Sequence, residues 1–318
     1  MVKPTQTNPS AASLSDIFGA RVQYDVPLAR FTSARVGGPA DALLMVETGS
    51  ELAEAAARLW EQGIPFIVLG NGSNVLVNDA GVAGAVLLNN AHQVRFNELD
   101  EPVTVWAESG ASLGLIARKA GALGYSGLEW AAGIPGTVGG AVVGNAGSRG
   151  GDTAGSLVLA EILHRSVTDG EEHGPVLREE WPVEKLAYAY RTSILKREPG
   201  KVVLAALFKL ERSTPDTVLA TIENYTEQRK QSQPPGASMG SMFKNPPGDF
   251  AGRLIEACGL KGTRIGDAEI NSQHANFFIN RGQATAADIY SLIQIARSKV
   301  VEKFGLNLDL EIELVGRW

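Results

Sequence analysis

Two glycine-rich loops carry the most distinctive chemistry of this chain. The longer is Gly133-Ile-Pro-Gly-Thr-Val-Gly-Gly-Ala-Val142, extended by Asn145-Ala-Gly147, and the shorter is Leu69-Gly-Asn-Gly-Ser-Asn74. Glycine lets a ligand approach the bare backbone, and successive peptide N–H groups in such loops form concave anion sites. A tight turn between packed elements would explain one such loop. Two of them indicate a diphosphate cradle, and therefore a dinucleotide-like cofactor.

A second candidate site lies in Ala237-Ser-Met-Gly-Ser-Met-Phe-Lys-Asn-Pro246, where Ser241 shortly precedes Lys244 and Asn245. A hydroxyl, a cation and an amide donor together suit an anionic substrate beside a proton donor. The alternative is a buried turn that uses the same residues for capping alone. The segment therefore predicts a substrate site only in combination with other residues.

Three charged residues elsewhere are ambiguous when each is taken separately. Arg191, in Tyr188-Ala-Tyr-Arg-Thr-Ser193, could bind an anion or pair with a surface acid, which is the commoner role of an arginine. Glu311 and Glu313 alternate with apolar residues and could face either a site or solvent. We expect Glu311 to be the functional one, because it lies five residues before Gly316.

Several other kinds of site are excluded. No Gly-x-Gly-x-x-Gly follows a first strand and no Walker loop is present, so neither of these nucleotide motifs applies. The histidines at positions 92, 164, 173 and 274 lack metal-ligand spacing, and only His274, before an apolar strand, could line a site. Cys258 lies on an apolar helical face and reads as a buried structural thiol. We expect no metal.

Composition narrows the class of protein further. The 318 residues are enough for two domains, and the formal net charge of −6 argues against a general nucleic-acid binder. A single cysteine fits a reducing compartment, and no apolar run approaches the length of a membrane helix. Residues 1–18 are predicted to be a disordered tail. We expect a cytoplasmic protein with no membrane, nucleic-acid or obligate protein partner.

Local signals place both glycine loops at junctions between elements. A helix that Thr48 and Glu51 cap precedes the apolar strand 64–69, which leads directly into the shorter loop. Another strand and helix, 103–107 and 113–123, precede the longer loop. The pattern is β-rich over 161–210 and helical again after the cap Ser213-Thr-Pro-Asp216, so a domain boundary is predicted near residue 212. Alternating residues 306–315 predict a terminal strand.

Taken together, these segments resemble one known family, UDP-N-acetylenolpyruvoylglucosamine reductase, the flavoenzyme of peptidoglycan precursor synthesis. The resemblance covers about residues 20 to 316 in the family's order. The motifs that carry it are Phe31-Thr-Ser-Ala-Arg-Val-Gly-Gly-Pro39, Leu69-Gly-Asn-Gly-Ser-Asn-Val-Leu76, Gly133-Ile-Pro-Gly-Thr-Val-Gly-Gly-Ala141, Tyr190-Arg-Thr-Ser193, Gly240-Ser-Met-Phe-Lys-Asn-Pro246, Gly262-Thr-Arg-Ile-Gly266, His274-Ala-Asn276 and Leu310-Glu-Ile-Glu-Leu-Val-Gly316.

The resemblance implies an α+β chain. Residues 19–212 would form an FAD-binding domain of the vanillyl-alcohol-oxidase type in two lobes, and 213–318 a C-terminal α/β domain that binds the UDP-sugar. It implies non-covalent FAD and NADPH as co-substrate. The residues expected to hold FAD are Arg35, Gly70, Asn71, Gly72, Ser73, Asn74, Gly133, Ile134, Pro135, Gly136, Thr137, Gly139, Gly140 and Ala141. Those expected to contact the substrate are Tyr190, Arg229, Lys244, Asn245 and His274.

By the same resemblance Arg191, Ser241 and Glu311 form the catalytic trio. In the family's reaction NADPH reduces FAD, and flavin N5 then gives a hydride to the β-carbon of UDP-N-acetylglucosamine enolpyruvate. Arg191 and protonated Glu311 would stabilise the resulting enolate, and Ser241 would protonate the α-carbon to give UDP-N-acetylmuramate. Pre-aimed donors lower the barrier because negative charge builds on the substrate carboxylate in this step.

Two positions depart from the family pattern, and two other functions compete. Asp267 stands where a second glycine is expected, and Gly144 where a bulkier residue is common. The chain has little room for an inserted tyrosine loop and so resembles the shorter subclass. A sugar or hydroxy-acid oxidase of the same fold would often tether FAD through a histidine after Gly37-Gly38, where Pro39 stands here. A non-catalytic nucleotide-binding module would not need the trio.

Overall fold

The chain folds into three lobes built from mixed helices and strands. A computed structural model describes residues 11–99, 101–166 and 174–318, so the prediction for His173 lies outside the described residues. The α-helices are α1 (Ala11–Phe18), α2 (Gly49–Glu61), α3 (Leu113–Ala122), α4 (Val138–Gly144), α5 (Thr153–Ser156), α6 (Ile194–Arg197), α7 (Pro215–Ser232), α8 (Ala251–Ala257) and α9 (Ala286–Phe304). Short 3-10 helices span Gly19–Arg21, Leu28–Phe31, Glu129–Ala131 and Val183–Leu186.

Strands and helices both occur in every lobe of the described residues, and the second lobe is antiparallel, which confirms the prediction of an α+β fold. The strands are β1 (Gln23–Pro27), β2 (Pro39–Val46), β3 (Phe66–Leu69), β4 (Val75–Val77), β5 (Val82–Asn89), β6 (Val94–Asn97), β7 (Thr104–Glu108), β8 (Tyr125–Ser126), β9 (Gly147–Ser148), β10 (Gly151–Asp152), β11 (Leu157–Arg165), β12 (Val176–Pro182), β13 (Lys201–Lys209), β14 (Glu211–Arg212), β15 (Arg264–Ile265), β16 (Ala268–Ile270), β17 (Phe278–Asn280) and β18 (Glu313–Val315).

The first lobe is a sheet in the order β1-β2-β5-β3, in which β2, β5 and β3 are parallel. Helix α2 covers it and begins where the sequence predicts, because the Thr48 hydroxyl accepts a hydrogen bond from the Glu51 amide at 3.1 Å. Its apolar stripe, including Leu52 and Leu59, is fully buried. The parallel arrangement brings the carboxyl ends of three strands to one edge, where ligands commonly bind in α/β sheets.

Helix α1 corrects the prediction of a disordered tail over residues 1–18. Leu14 and Phe18 are buried in the same core as α2, with Ile17 packed against them. Their spacing places all three on one side of a helix, so docking on the first lobe stabilises a segment whose polar composition suggested disorder. The prediction is therefore wrong for residues 11–18, and residues 1–10 lie outside the described part of the chain.

The second lobe is a five-stranded antiparallel sheet in the order β12-β11-β13-β7-β6, with α3, α4 and α7 packed against it. Helix α7 begins with Thr214 as its cap and Pro215 in its first turn, as the sequence predicts. Its buried residues, Val218 and Ile222, belong to the core of this second lobe. The domain boundary at residue 212 stays a proposal, and this packing favours a division after α7.

The third lobe packs α8 and α9 against the sheet β15-β16-β17. Its C-terminal segment then returns to the first lobe, where β18 pairs in parallel with β4. The predicted terminal strand over residues 306–315 is wrong in extent, since only Glu313–Val315 forms a strand. Leu308 and Ile312 are buried in the third lobe's core instead, because β4 offers a partner to three residues only.

Candidate active site

The two glycine loops pack directly against each other. The first glycine loop (Gly70–Asn74) follows β3, and the second (Gly133–Ala141) leads into α4. The Ser73 hydroxyl donates to the Pro135 carbonyl at 3.1 Å. A Cβ atom on Gly70 would lie 2.6 Å from the Thr137 hydroxyl, so no larger residue fits at this contact. The loops therefore form one continuous backbone surface between the first two lobes.

Positive backbone angles explain why glycine is required in this surface. Gly72 has φ +56°, and a Cβ atom there would lie 2.1 Å from the Phe31 carbonyl oxygen. The turn after Phe31 reaches the same loop, since the Ser33 amide donates to the Gly72 carbonyl at 3.0 Å. In that turn Arg35 has φ 57° and an exposed side chain, close in sequence to the loop contact. The structure thus places Arg35 on the turn that borders the first glycine loop.

A cavity of about 380 Å³ opens beside the first glycine loop. It lies at the carboxyl ends of the parallel strands β2, β3 and β5, and its walls include Gly70 and Asn71. Sequence reasoning missed the other lining residues, which are Arg30, Phe31, Thr32, Ser33, Met45, Leu88, Asn89 and Asn90. The change from an apolar strand to Asn89-Asn90 was a usable signal, because polar residues at such strand ends often contact ligands.

Arg191 is held in place by three hydrogen bonds. Its Nε donates to Glu311 Oε1 at 2.9 Å, and its two terminal nitrogens donate to the carbonyls of Gly147 at 2.6 Å and Asn145 at 3.4 Å. Its backbone has φ 55°, which is unfavourable for a non-glycine residue. Strain of this kind persists where the surrounding contacts over-determine a side chain, and it is common at functional sites.

Glu311 lies half-buried against Arg191. Its side chain is 21% exposed, whereas that of Glu313 is 51% exposed and pairs with Lys196. Burial raises the pKa of the Glu311 carboxyl and outweighs the lowering effects of Arg191, Lys196 and Lys244. Arg191 occupies one carboxyl oxygen only, so the other can carry a proton. These contacts favour Glu311 over Glu313 as the site residue.

Ser241 lies in the segment next to Glu311. The Glu311 amide donates to the Met242 carbonyl at 3.0 Å, and Ser241 itself forms a β-bridge with Phe277 on the opposite side. The Asn276 side chain accepts from the Phe243 amide at 2.9 Å and donates to the Phe243 carbonyl at 2.8 Å. The serine segment is therefore clamped between two neighbouring segments, which fixes Ser241 beside the acid.

The residues predicted to contact the substrate near Ser241 and Glu311 differ in their surroundings. Tyr190 is 52% exposed, and its ring centroid lies 5.1 Å from the Arg191 guanidinium carbon. The Lys244 charge lies close enough to Glu311 to lower its pKa. Asn245 has a structural contact, because its side-chain oxygen accepts from the Ala251 amide at 3.1 Å and so caps α8.

His274 is occupied within the third lobe. Its Nδ1 accepts a hydrogen bond from the Asn276 amide at 3.2 Å, and its ring packs edge-on against Phe277. A Cβ atom on Gly252 would lie 3.2 Å from the ring, so α8 also covers it. Burial lowers the pKa of the imidazole, which favours the neutral form. Because His274 packs on Phe277, which pairs with Ser241, these contacts stabilise the serine segment on the side opposite Glu311.

Arg229 lies against the second glycine loop. A Cβ atom built on Gly133 would be 3.2 Å from the Arg229 Cδ. Arg229 also lines a small pocket together with Trp130, Ser148 and Arg149. Burial lowers the pKa of the Arg229 guanidinium, and the nearby charge of Arg149 lowers it further. Within the described ranges neither arginine forms an ion pair, so two cations share this pocket without an acidic partner. Arg149 was missed because an isolated loop arginine gives no sequence signal.

The two departures from the family pattern lie apart from these contacts. Asp267 accepts hydrogen bonds from the Gln283 amide at its side chain and the Arg281 amide at its backbone, both at 2.8 Å. Nothing lies within 4 Å of a Cβ atom built on Gly144. Asp267 therefore stabilises a hairpin in the third lobe, and Gly144 ends α4 beside open space.

Comparison with known proteins identifies the family. A family model described as the C-terminal domain of UDP-N-acetylenolpyruvoylglucosamine reductase matches residues 230–315, and an FAD binding domain model matches 40–164. The reductase of that name from Chloroflexus aggregans is 48% identical over 294 residues, covering 91% of this chain and 96% of the relative. The chain belongs to the UDP-N-acetylenolpyruvoylglucosamine reductase family.

Two further similar proteins support membership of this family. The enzyme of the same name from Rubrobacter xylanophilus is 42% identical over 306 residues, covering 96% of this chain and 98% of the relative. The crystal structure of UDP-N-acetylenolpyruvylglucosamine reductase from Thermus caldophilus superimposes with a TM-score of 0.75 at 38% identity, covering 93% of this chain and 99% of that one. The similarity thus spans all three lobes.

These matches confirm the predictions of the family and of an FAD-binding domain followed by a C-terminal domain. The family consists of NADPH-dependent flavoprotein oxidoreductases, so the predictions of an enzyme, of non-covalent FAD and of NADPH as co-substrate are also confirmed. In the part of the chain that the structure describes, no helix is long and apolar enough to cross a membrane.

Proposed function

We propose that this reductase converts UDP-N-acetylglucosamine enolpyruvate to UDP-N-acetylmuramate in peptidoglycan precursor synthesis, with electrons from NADPH. The observation that carries the proposal is the contact between Arg191 and half-buried Glu311, next to the Ser241 segment. An acid with a raised pKa, an arginine and a hydroxyl in adjoining positions suit a reaction that builds and then protonates an enolate.

The two glycine loops are proposed to hold the diphosphate of FAD. Their contact through Ser73 and Pro135 joins the two loops, and the 380 Å³ cavity beside Gly70 offers space next to them. The amides of the first glycine loop suit an anion, because glycine lets a ligand approach the backbone, whereas several amides of the second loop already donate within the protein. FAD, when bound, supplies a hydride from N5 to the β-carbon of the enol ether.

Arg191 and Glu311 are proposed to stabilise the charge that this transfer places on the substrate carboxylate. The two carbonyl contacts of Arg191 fix its guanidinium before substrate arrives, so no reorganisation is needed when the charge forms. The raised pKa of Glu311 favours its protonated form, which can donate a hydrogen bond to the same carboxylate. Both groups thus stabilise the enolate more than the substrate, as a catalyst must.

Ser241 is proposed to donate its hydroxyl proton to the α-carbon. Hydride addition at the β-carbon leaves the electron pair at the α-carbon, and the new C–H bond forms with the serine proton. The serine then regains a proton from solvent. A serine hydroxyl is a weak acid in water, but the carbanion is a strongly basic acceptor. The Asn276 side chain holds the backbone of Phe243 and so restricts the segment that carries Ser241.

The UDP portion is proposed to lie between the second and third lobes, with Tyr190, Arg229, Lys244, Asn245 and His274 as its contacts. Arg229 and Arg149 support this placement, because two unpaired guanidiniums in one pocket favour a phosphate group. We also propose two domains, with the boundary moved from residue 212 to the end of α7 because α7 packs in the second lobe, and a cytoplasmic location, where NADPH and nucleotide sugars are available.

Anaerobic spectroscopy of the purified holoenzyme tests the whole proposal. NADPH should bleach the oxidised flavin absorbance, and UDP-N-acetylglucosamine enolpyruvate should restore it with formation of UDP-N-acetylmuramate. An oxidase of the same fold would recover its absorbance with oxygen and ignore the enolpyruvyl sugar. A binding module would not bleach. Failure of the sugar to reoxidise the flavin would overturn the assignment.

A further inference from the structure

We propose that Asn74 is a positioning residue that fixes Glu311 relative to the first glycine loop. This inference rests on the proposed function, because it assigns Asn74 to the support of a residue that acts on the substrate. The resemblance to the family assigned Asn74 only to the cofactor. The structure points to a second role, since its side chain is directed toward the acid.

The contacts of Asn74 span the first glycine loop and the C-terminal segment. Its Nδ2 donates to the backbone carbonyl of Glu311 at 3.1 Å, and its own carbonyl accepts from the Glu313 amide at 2.9 Å. The parallel pairing of β4 and β18 begins at the next residue, where Val75 lies opposite Glu313. Asn74 therefore sits at the start of this pairing and extends it by one side-chain hydrogen bond.

Glu311 is consequently held from three directions. Its amide bonds to Met242 in the serine segment, its carboxyl to Arg191 of the second lobe, and its carbonyl to Asn74 of the first lobe. The first two contacts involve Arg191 and the residue that follows Ser241, so they would move with the proposed catalytic residues. The Asn74 contact is different, because it fixes the position of Glu311 relative to the loop proposed to hold the flavin diphosphate.

An amide is the side chain that this position requires. Asparagine presents an N–H donor at the distance of the Glu311 carbonyl, whereas alanine and serine are too short to reach it. Aspartate has the right length, but its carboxylate would face a carbonyl oxygen. Loss of the Asn74 side-chain amide frees the Glu311 backbone carbonyl, while β4 and β18 remain paired. We therefore expect Glu311 to be misoriented and the protein to stay folded.

The test compares Asn74→Ala with Asn78→Ala in the holoenzyme. Asn78 follows β4 at the other end of the same strand pair, and its side chain accepts from the nearby Ala80 amide at 2.7 Å, a contact within its own turn. With flavin occupancy matched by absorbance, any loss in the rate of reduction by NADPH measures the effect of Asn74→Ala on the cofactor, and it should be the smaller of the two losses. Reoxidation by saturating enolpyruvyl sugar should slow by about 10- to 100-fold, the scale of a misplaced catalytic group. Asn78→Ala should change neither rate.

Hydrogen exchange provides a readout that does not depend on turnover. In Asn74→Ala the Glu311 amide should exchange about tenfold faster than in wild type, with the amides of Leu314 and Val315 unchanged. A second variant, Asn74→Ser, keeps a polar residue in the turn and should reproduce both effects if alanine impairs folding.

Three results would overturn the inference: equal slowing of both half-reactions, unchanged exchange at Glu311, or the same defects in Asn78→Ala. Failure of the proposed function would give a different result in these assays. In that case the sugar would not reoxidise even the wild-type flavin, while faster exchange at Glu311 in Asn74→Ala would still support the structural link.

Discussion

Replacing Arg191 with lysine separates its geometry from its charge. Lysine keeps the positive charge but has one nitrogen in place of the three that contact Glu311, Gly147 and Asn145. The single ammonium can satisfy one or two of these acceptors at a time. A guanidinium donor aimed at the substrate carboxylate is therefore lost, even though the net charge of the site is unchanged.

The expected magnitude follows from the number of donors removed. Loss of one pre-aimed donor to a developing oxyanion typically lowers kcat by about 10²- to 10³-fold, or about 2.7–4 kcal/mol of transition-state stabilisation. We expect kcat of Arg191→Lys to fall by about 10²-fold or more, with KM changed by about threefold or less, because the charge that attracts the substrate remains. The unfolding temperature of the variant should be measured as well, because Arg191 also bonds to the carbonyls of Gly147 and Asn145.

Steady-state oxidation of NADPH, followed by absorbance, measures both constants. The matched control is Arg197→Lys, because Arg197 also donates to backbone carbonyls, those of Ala187 and Ser193, from the same part of the chain. That variant should retain kcat. A near-normal kcat in Arg191→Lys would refute the catalytic role and leave Arg191 as a structural residue. An equal loss in both variants would indicate that the segment as a whole is disturbed.

Three further predictions concern the same site. Ser241→Ala should be reduced by NADPH at close to the wild-type rate but reoxidised about 10²-fold more slowly or worse, and stopped-flow absorbance of the flavin measures both phases; unchanged reoxidation would remove Ser241 from the mechanism. The pKa of Glu311 is raised, so its protonated form is lost as pH increases through that pKa, and reoxidation should slow in step. Glu311→Gln should lose this pH limb, and its persistence would assign the limb to another group. Arg229→Gln should raise KM by about tenfold or more with little change in kcat, because it removes a phosphate contact, and an unaltered KM would contradict a binding role.

The sequence predicted those features that neighbouring residues determine. The starts of α2 and α7 follow from Thr48 and from Thr214 with Pro215, because a cap acts on amides within one turn. The glycine loops were equally visible, since only glycine tolerates the contact of Gly72 with the Phe31 carbonyl. Local chemistry was therefore sufficient to predict these helix starts and the two glycine loops.

Features that depend on distant partners were predicted poorly. The polar composition of the first residues gave no sign that Leu14 and Phe18 dock on the first lobe. Helix α7 was assigned to the third lobe from its position in the chain, yet Val218 and Ile222 pack in the second. The alternation over residues 306–315 predicted a strand, because periodicity cannot reveal that β4 pairs with three residues only.

The proposed catalytic trio illustrates both limits at once. Arg191, Ser241 and Glu311 were each ambiguous alone, and only the resemblance to the family joined them. The structure supplies a physical reason for the choice between the two acids: Glu313 pairs with Lys196 near solvent, whereas Glu311 is turned toward Arg191. In a regular strand residues two apart share a face, so the short irregular segment before β18 is what separates these two carboxylates.

This irregular segment also explains why the site needs all three lobes. Arg191 comes from the second lobe, Ser241 from the third, and Glu311 reaches them only because β18 docks on β4 of the first. Docking is reinforced by the Arg317 side chain, which donates to Asp41 at 2.7 Å. Assembly of the acid, the arginine and the serine is therefore coupled to attachment of the chain's last strand, and a change that loosens this strand should reduce catalysis before it unfolds any single lobe.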